Sequence, residues 1–242
     1  MPDTKLSDKV IVALDVATFD EARVLMDQLG DSAAWFKVGN QLFTSVGPDI
    51  IREIKGRGKK LFLDLKFHDI PNTVARASEA ATGLGVNMFN IHVSGGMKMM
   101  RDAAEAVKSK AFELGIEKPI VLGVTILTSI DTATLEEVFG SVKGLQEQIV
   151  DMAKLAQSAG LDGVVASPQE IKPIRKACGE NFVIVTPGVR PKWAAANDQK
   201  RIMTPSDAVR AGASYMVIGR PIRQAQEPAN ALERILQELA GS

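Results

Sequence analysis

Eight short apolar runs alternate with segments of helical period along the whole chain, and that rhythm predicts an α/β protein folded as a single (β/α)8 TIM barrel over residues 1–242. Three observations carry the prediction. Strand-like runs fall at 10–15, 35–39, 61–66, 88–93, 120–127, 163–167, 182–189 and 215–220. Segments with apolar residues at helical spacing lie between them, among them 19–29, 49–57, 74–84, 97–114 and 146–159, and a last one at 229–239. No linker rich in Pro, Gly or Ser divides the chain, and 242 residues fit one large barrel. The alternative is an open doubly wound sheet. That fold normally carries a Gly-x-Gly-x-x-Gly turn after its first strand, whereas this chain has Asp15-Val16-Ala17-Thr18.

Side chains alternate across a strand, so each run can be divided into a face toward the barrel axis and a face toward the helices. In the first strand Val10, Val12 and Leu14 share the helix-facing side, and Ile11, Ala13 and Asp15 the inner one. In the second, Trp35 and Lys37 point inward. In the third, Leu61, Leu63 and Leu65 face the helices while Phe62, Asp64 and Lys66 face the axis. Four charges of alternating sign thus converge near the C-terminal ends of three adjacent strands, where barrels of this kind place their active sites. A buried charge costs several kcal/mol unless it is paired, and a good pair often only breaks even. A structural ion pair would account for Asp64 and Lys66 alone. It does not account for Asp15 and Lys37 as well, or for Asp69 just past the strand, where Ile70-Pro71-Asn72-Thr73 opens a helix.

On the fourth strand Asn90 and His92 point inward. His92 reads as a hydrogen-bonded neighbour of the site, because two histidines, His68 and His92, without a third ligand are weak grounds for zinc. Met97 to Met100 reads as packing. The seventh strand runs into Thr186-Pro187-Gly188-Val189-Arg190 and the eighth into Ile218-Gly219-Arg220-Pro221. The loops after these two strands are the phosphate corner of the fold, and Arg220 offers a forked contact to an anion. The polar stretch 191–201 between them has the length of a lid or binding loop.

Composition bounds the partners. Lys+Arg and Asp+Glu both number 29, which argues for neither nucleic acid nor an acidic membrane surface. The N-terminal residues lack the apolar core of a signal peptide and no apolar run approaches spanning length, so a cytoplasmic enzyme is expected. One cysteine, Cys178, excludes an internal disulfide and a cysteine-rich metal site.

Over essentially its whole length the chain resembles the orotidine 5′-phosphate decarboxylase family of bacterial type. The segment Leu63-Asp64-Leu65-Lys66-Phe67-His68-Asp69-Ile70-Pro71-Asn72-Thr73 matches the family's Asp-x-Lys-x-x-Asp signature. Val12-Ala13-Leu14-Asp15, Phe36-Lys37-Val38-Gly39, Leu127-Thr128-Ser129 and the two phosphate-corner segments resemble it too. The resemblance implies decarboxylation of orotidine monophosphate to uridine monophosphate, the last step of pyrimidine nucleotide synthesis, by a homodimer with shared active sites that uses no metal or organic cofactor. It implies Lys66 as proton donor in a network with Lys37, Asp64 and Asp69, the last reaching into the partner's site. It implies ribose contacts from Asp15 and Lys37, with Ile70 and Thr73 entering from the partner. Thr128 would meet the pyrimidine, and Pro187, Arg190, Gln199, Gly219 and Arg220 would line the phosphate site or its lid.

Three competing readings remain at this stage. A Mg²⁺-dependent sister activity on the same scaffold, of the hexulose-phosphate synthase and ketogulonate-phosphate decarboxylase type, would want an acidic ligand where this chain has Lys37. A Schiff-base aldolase would want an isolated, desolvated lysine rather than Lys66 between carboxylates. A non-catalytic phosphosugar-binding protein would need the phosphate corner but not the inward charges.

Overall fold

The computed structural model describes residues 6–140, 144–194 and 203–241. The eight anticipated strands are β1 (Val10–Ala13), β2 (Trp35–Gly39), β3 (Lys60–Phe67), β4 (Met88–His92), β5 (Ile120–Val124), β6 (Gly163–Val165), β7 (Val183–Pro187) and β8 (Tyr215–Ile218). Each pairs in parallel with the next, and β8 pairs with β1, closing the sheet into a barrel. Closure removes the open-sheet alternative.

The crossovers are α1 (Phe19–Leu29), α2 (Asn40–Val46), α3 (Asp49–Gly56), α4 (Pro71–Gly83), α5 (Gly96–Leu114), α6 (Thr132–Phe139), α7 (Leu145–Ser158), α8 (Ile171–Cys178), α9 (Pro205–Ala211), α10 (Arg220–Arg223) and α11 (Pro228–Ala240). Sequence periodicity finds the long ones and the eight-residue α3, and passes over α2, α6, α8, α9 and α10, which span eight residues or fewer and so offer little more than two turns of pattern. Local chemistry fixes several starts. At α1 the Thr18 hydroxyl accepts from the Glu21 N–H at 3.2 Å while the Glu21 carboxylate accepts from the Thr18 N–H at 3.0 Å, a reciprocal cap that pins the turn just after Asp15. At α4 Pro71 occupies the first turn, where its missing N–H costs nothing.

Most strands end before their apolar runs do, whereas β3 reaches Phe67, one residue past its run. The apolar runs continue to Asp15, Leu127, Ser167, Val189 and Arg220, but the ladders stop at Ala13, Val124, Val165, Pro187 and Ile218. Leu14 and Ala166 still donate their N–H to the Lys37 and Val185 carbonyls, but the residues beyond them build the rim of the mouth, so composition alone overshoots.

The alternation holds. Ile11, Ala13, Trp35, Phe62, Met88, Leu122, Val185 and Val217 form one buried cluster that fills the lumen. Val10, Val12, Leu14, Phe36, Leu61, Leu63 and Phe89 belong to the larger cluster shared with the helices. One ladder is irregular. Between β3 and β4, Leu63 pairs with Phe89 and Phe67 with Ile91, so residues 64–66 of β3 stand opposite Asn90 alone.

Candidate active site

The four inward charges meet at the C-terminal mouth in one continuous chain. Lys37 Nζ lies 3.0 Å from Asp15 Oδ1 and 3.2 Å from Asp64 Oδ2. The other oxygen of Asp64 accepts from Lys66 Nζ at 2.6 Å. Signs therefore alternate along Asp15, Lys37, Asp64 and Lys66. Burial is graded: the Lys37 and Asp64 side chains are 9% and 14% exposed, Lys66 is 28% and Asp15 is 50%. The outer two charges can meet a ligand, while the inner two are held almost out of water.

Protonation follows from that geometry. Burial alone would push the Lys37 ammonium down, but Asp64 and Asp15 outweigh it and hold it above the ordinary lysine value. Burial would likewise raise the Asp64 carboxyl, yet Lys37 and Lys66, with hydrogen bonds from Lys66 and Asn90, hold it below its ordinary value. Both inner groups are thus charged at neutral pH, the arrangement that makes a buried ion pair tolerable.

The backbone at Lys66 is strained. Its φ of 54° is the one positive value at a non-glycine among the described residues, and such a conformation costs about 1–3 kcal/mol. It coincides with the irregular stretch of the β3–β4 ladder. The Asn90 side chain, 1% exposed, stands where the missing rungs would be: its Oδ1 accepts from the Lys66 N–H and its Nδ2 donates to Asp64 Oδ1, both at 2.8 Å. Gly39 is also shaped by the site, since a Cβ there would sit 3.0 Å from Lys37 Nζ and 3.7 Å from Asp15 Oδ1. Sequence reading gave Asn90 an inward face but no task, and gave Gly39 none. An inward amide opposite a lysine-bearing strand end was the available signal for Asn90, but the bulge that brings them together is visible only in the ladder.

The end of β8 lies against this chain because β8 closes onto β1. A Cβ on Gly219 would lie 3.6 Å from Asp15 Oδ2. Pro187 ends β7 and pairs with Val217, Gly188 follows with φ 79°, and the Arg190 N–H donates to the Met203 carbonyl across the loop. Arg220 opens α10 and is exposed at the rim. Thr128 sits on the turn after β5 and, with Ser167, Gly188 and Met203, lines a cavity of about 510 Å³. Gln199, and with it most of the anticipated lid, lies outside the described residues.

Asp69, Ile70 and Thr73 are not brought to the ionic chain of their own barrel. Asp69 is exposed and its carboxylate accepts from the N–H of Ile70 at 2.6 Å. Ile70 is 67% exposed and Thr73 is exposed on the first turn of α4. His68 and His92 stack with ring centroids 5.1 Å apart. Burial, then the His68 and Lys66 charges, push the His92 imidazole below its ordinary value against a smaller upward pull from Asp64. No group of three or more His, Cys, Asp or Glu able to hold a metal occurs among the described residues, and none of the described helices is long and apolar enough to cross a membrane.

A closed parallel barrel with opposed charges strung across its C-terminal mouth places the chain in the class of (β/α)8 barrels with an ionic site at that end. The sequence pattern of the orotidine 5′-phosphate decarboxylase / HUMPS family matches residues 8–235, and the chain belongs to that family. Curated relatives agree. The orotidine 5′-phosphate decarboxylase of Geobacter sulfurreducens is 55% identical over 232 residues, covering 96% of each chain. That of Heliobacterium modesticaldum is 50% identical over 233 residues, again with 96% of each covered. The crystal structure of orotidine 5′-phosphate decarboxylase from Lactobacillus acidophilus superposes with a TM-score of 0.85 at 37% identity, covering 95% of this chain and 98% of that one.

Proposed function

We propose that this protein decarboxylates orotidine 5′-monophosphate to uridine 5′-monophosphate, the last step of de novo pyrimidine nucleotide synthesis, and that Lys66 is the proton donor. The observation that carries the reading is the alternating chain Asp15–Lys37–Asp64–Lys66 at the barrel mouth, with contacts of 2.6–3.2 Å. When the bond from C6 to the carboxylate breaks, its electron pair stays on C6 and CO₂ leaves. The fixed Lys66 ammonium lies beside that developing charge, stabilises it electrostatically, and then gives C6 a proton. Asp64 holds the ammonium in place through its 2.6 Å contact. No metal or organic cofactor enters this scheme. Lys37 supports that choice over the Mg²⁺-dependent sister activity, because its ammonium fills the space between Asp15 and Asp64 where a metal would have to sit.

Substrate contacts follow the same frame. Asp15 and Lys37 bind ribose hydroxyls, Thr128 meets the pyrimidine, and Pro187, Arg190, Gln199, Gly219 and Arg220 surround the phosphate. Gripping a remote phosphate lets non-reacting contacts lower the barrier to the chemical step. The protein works as a homodimer with shared sites, each completed by Asp69, Ile70 and Thr73 of the partner subunit; the exposure of these three in a single barrel supports that arrangement.

The purified protein is expected to consume orotidine monophosphate in an ultraviolet absorbance assay at a rate unchanged by exhaustive EDTA treatment. Activity lost to chelation and restored by Mg²⁺ would instead select the sister reaction. Mixing inactive Lys66→Ala and Asp69→Ala proteins under conditions of demonstrated subunit exchange is expected to restore roughly a quarter of wild-type sites, because a two-fold heterodimer carries one intact site. No recovery on exchange would return Asp69 to its own subunit's site.

A further inference from the structure

We infer that Asn90 is a positioning residue for the reaction: its side-chain amide replaces the broken rungs of the β3–β4 ladder and thereby holds Lys66 in the backbone conformation that presents its ammonium. The inference builds on the decarboxylase reading but stands on separate geometry. Three residues of β3, Asp64 to Lys66, face Asn90 alone, so the regular parallel ladder cannot satisfy the Lys66 N–H. A buried N–H without a partner is strongly disfavoured, and here the partner is Asn90 Oδ1 at 2.8 Å. The same amide's Nδ2 donates to Asp64 Oδ1 at 2.8 Å, the oxygen that also receives Lys66 Nζ at 2.6 Å.

The amide orientation is fixed by these neighbours. Reversing it would set NH₂ against an N–H and a carbonyl oxygen against a carboxylate, two repulsive contacts in place of two bonds. Asn90 therefore ties both ends of one ion pair: the main chain of the cation and the side chain of the anion. It is 1% exposed and lies behind Asp64, and it is absent from the Asp15, Lys37 and phosphate-corner contacts described above. The nearest titratable neighbour on its own strand, His92, is turned toward His68. Without Asn90 the Lys66 N–H loses its partner, and only the side-chain contact to Asp64 opposes relaxation of residue 66 from φ 54° toward extended backbone. The ammonium would then swing away while the ribose and phosphate contacts stay.

Asn90→Ala and Asn90→Leu test this, the second keeping side-chain volume while removing both hydrogen bonds. Each is expected to lower kcat by about 10²-fold, the scale of a misplacement near 1 Å, with KM for orotidine monophosphate nearly unchanged. Asn90→Asp keeps the acceptor for the Lys66 N–H and should restore amide protection at Lys66, though not full turnover, because it sets a second carboxylate beside Asp64. Hydrogen exchange at the Lys66 amide gives a readout independent of catalysis: slow in wild type and Asn90→Asp, fast in the Ala and Leu variants. Unchanged protection in Ala and Leu variants that melt as wild type does would overturn the inference, as would wild-type kcat in either. A wild-type protein inactive on orotidine monophosphate would sink the decarboxylase reading instead, leaving the exchange data to decide the role of Asn90.

Discussion

The floor and the mouth of the same lumen are built by the same strands in opposite ways. Lower down, Ile11, Trp35, Phe62, Met88, Leu122 and Val185 fill the axis with apolar volume. Trp35 and Tyr215 meet edge to face at 5.5 Å, and Lys60 lies 5.5 Å above the Trp35 ring. Two to four residues further along three of these strands, the inner column becomes Asp15, Lys37, Asp64 and Lys66. The floor uses close packing, which stabilises in proportion to the area removed from water. The mouth uses desolvated charge, which at best breaks even for folding. The contrast teaches where this chain spends stability and where it gains it, and each half can be perturbed separately.

The largest effect should come from Lys66→Ala, which is expected to abolish measurable turnover while the protein melts no lower than wild type. Its counterpart in the floor is Phe62→Ala, which should lose about 3–5 kcal/mol of unfolding free energy while any protein that remains folded keeps its kcat. Denaturant unfolding and steady-state kinetics on both proteins check the pair. A Lys66→Ala protein that unfolds several kcal/mol more easily would erase the distinction between the two regions.

Next in size is the inner ion pair. Lys37→Met removes the ammonium from between two carboxylates and should cost about 3–5 kcal/mol, as truncating one partner of a buried pair does. The double change Lys37→Met/Asp64→Leu continues the floor upward with apolar side chains and should recover most of that loss, while remaining inactive. A double variant no more stable than the single one would show that the mouth is held by its charges in a way the floor is not.

The smallest effect is a slope. Asp64 carries a carboxyl held below its ordinary value of 3.8 in the folded protein. Its contribution is therefore complete above that value and is lost as pH falls through the depressed folded one. Wild type and Phe62→Ala should lose stability in parallel as pH falls below 3.8, a single carboxyl accounting for at most about 1.4 kcal/mol per pH unit. Asp64→Asn should show the shallower fall over the same range. Parallel curves for all three, measured by urea unfolding at each pH, would remove Asp64 from the acid response.

What was legible in the sequence follows from which features are periodic. The period of two placed Ile11, Trp35 and Phe62 on the axis and carried Asp15, Lys37, Asp64 and Lys66 to one spot, because alternation is a local property of each strand. Strand order came from the βα rhythm, since crossovers of this kind run one way round. Features that depend on pairing were hidden. The bulge opposite Asn90 exists only between two strands, so neither the strain at Lys66 nor the double hydrogen bond of Asn90 can be read from either strand alone. Asp15 reads as the end of the first strand, on one face with Ile11 and Ala13, yet the ladder ends at Ala13 and the carboxylate stands on the rim. The roles proposed for Asp69, Ile70 and Thr73 call for a second copy of the chain, which no single-chain pattern encodes.

The positive φ at Lys66 sets evolution a conflict at one position. Glycine is the residue the backbone there prefers, and Lys66→Gly would release roughly 1–2 kcal/mol of conformational strain. Relief of this strain by glycine therefore comes only with loss of the ammonium. On the role proposed for Lys66, folding and turnover pull this position in opposite directions, and it is lysine that stands at φ 54°.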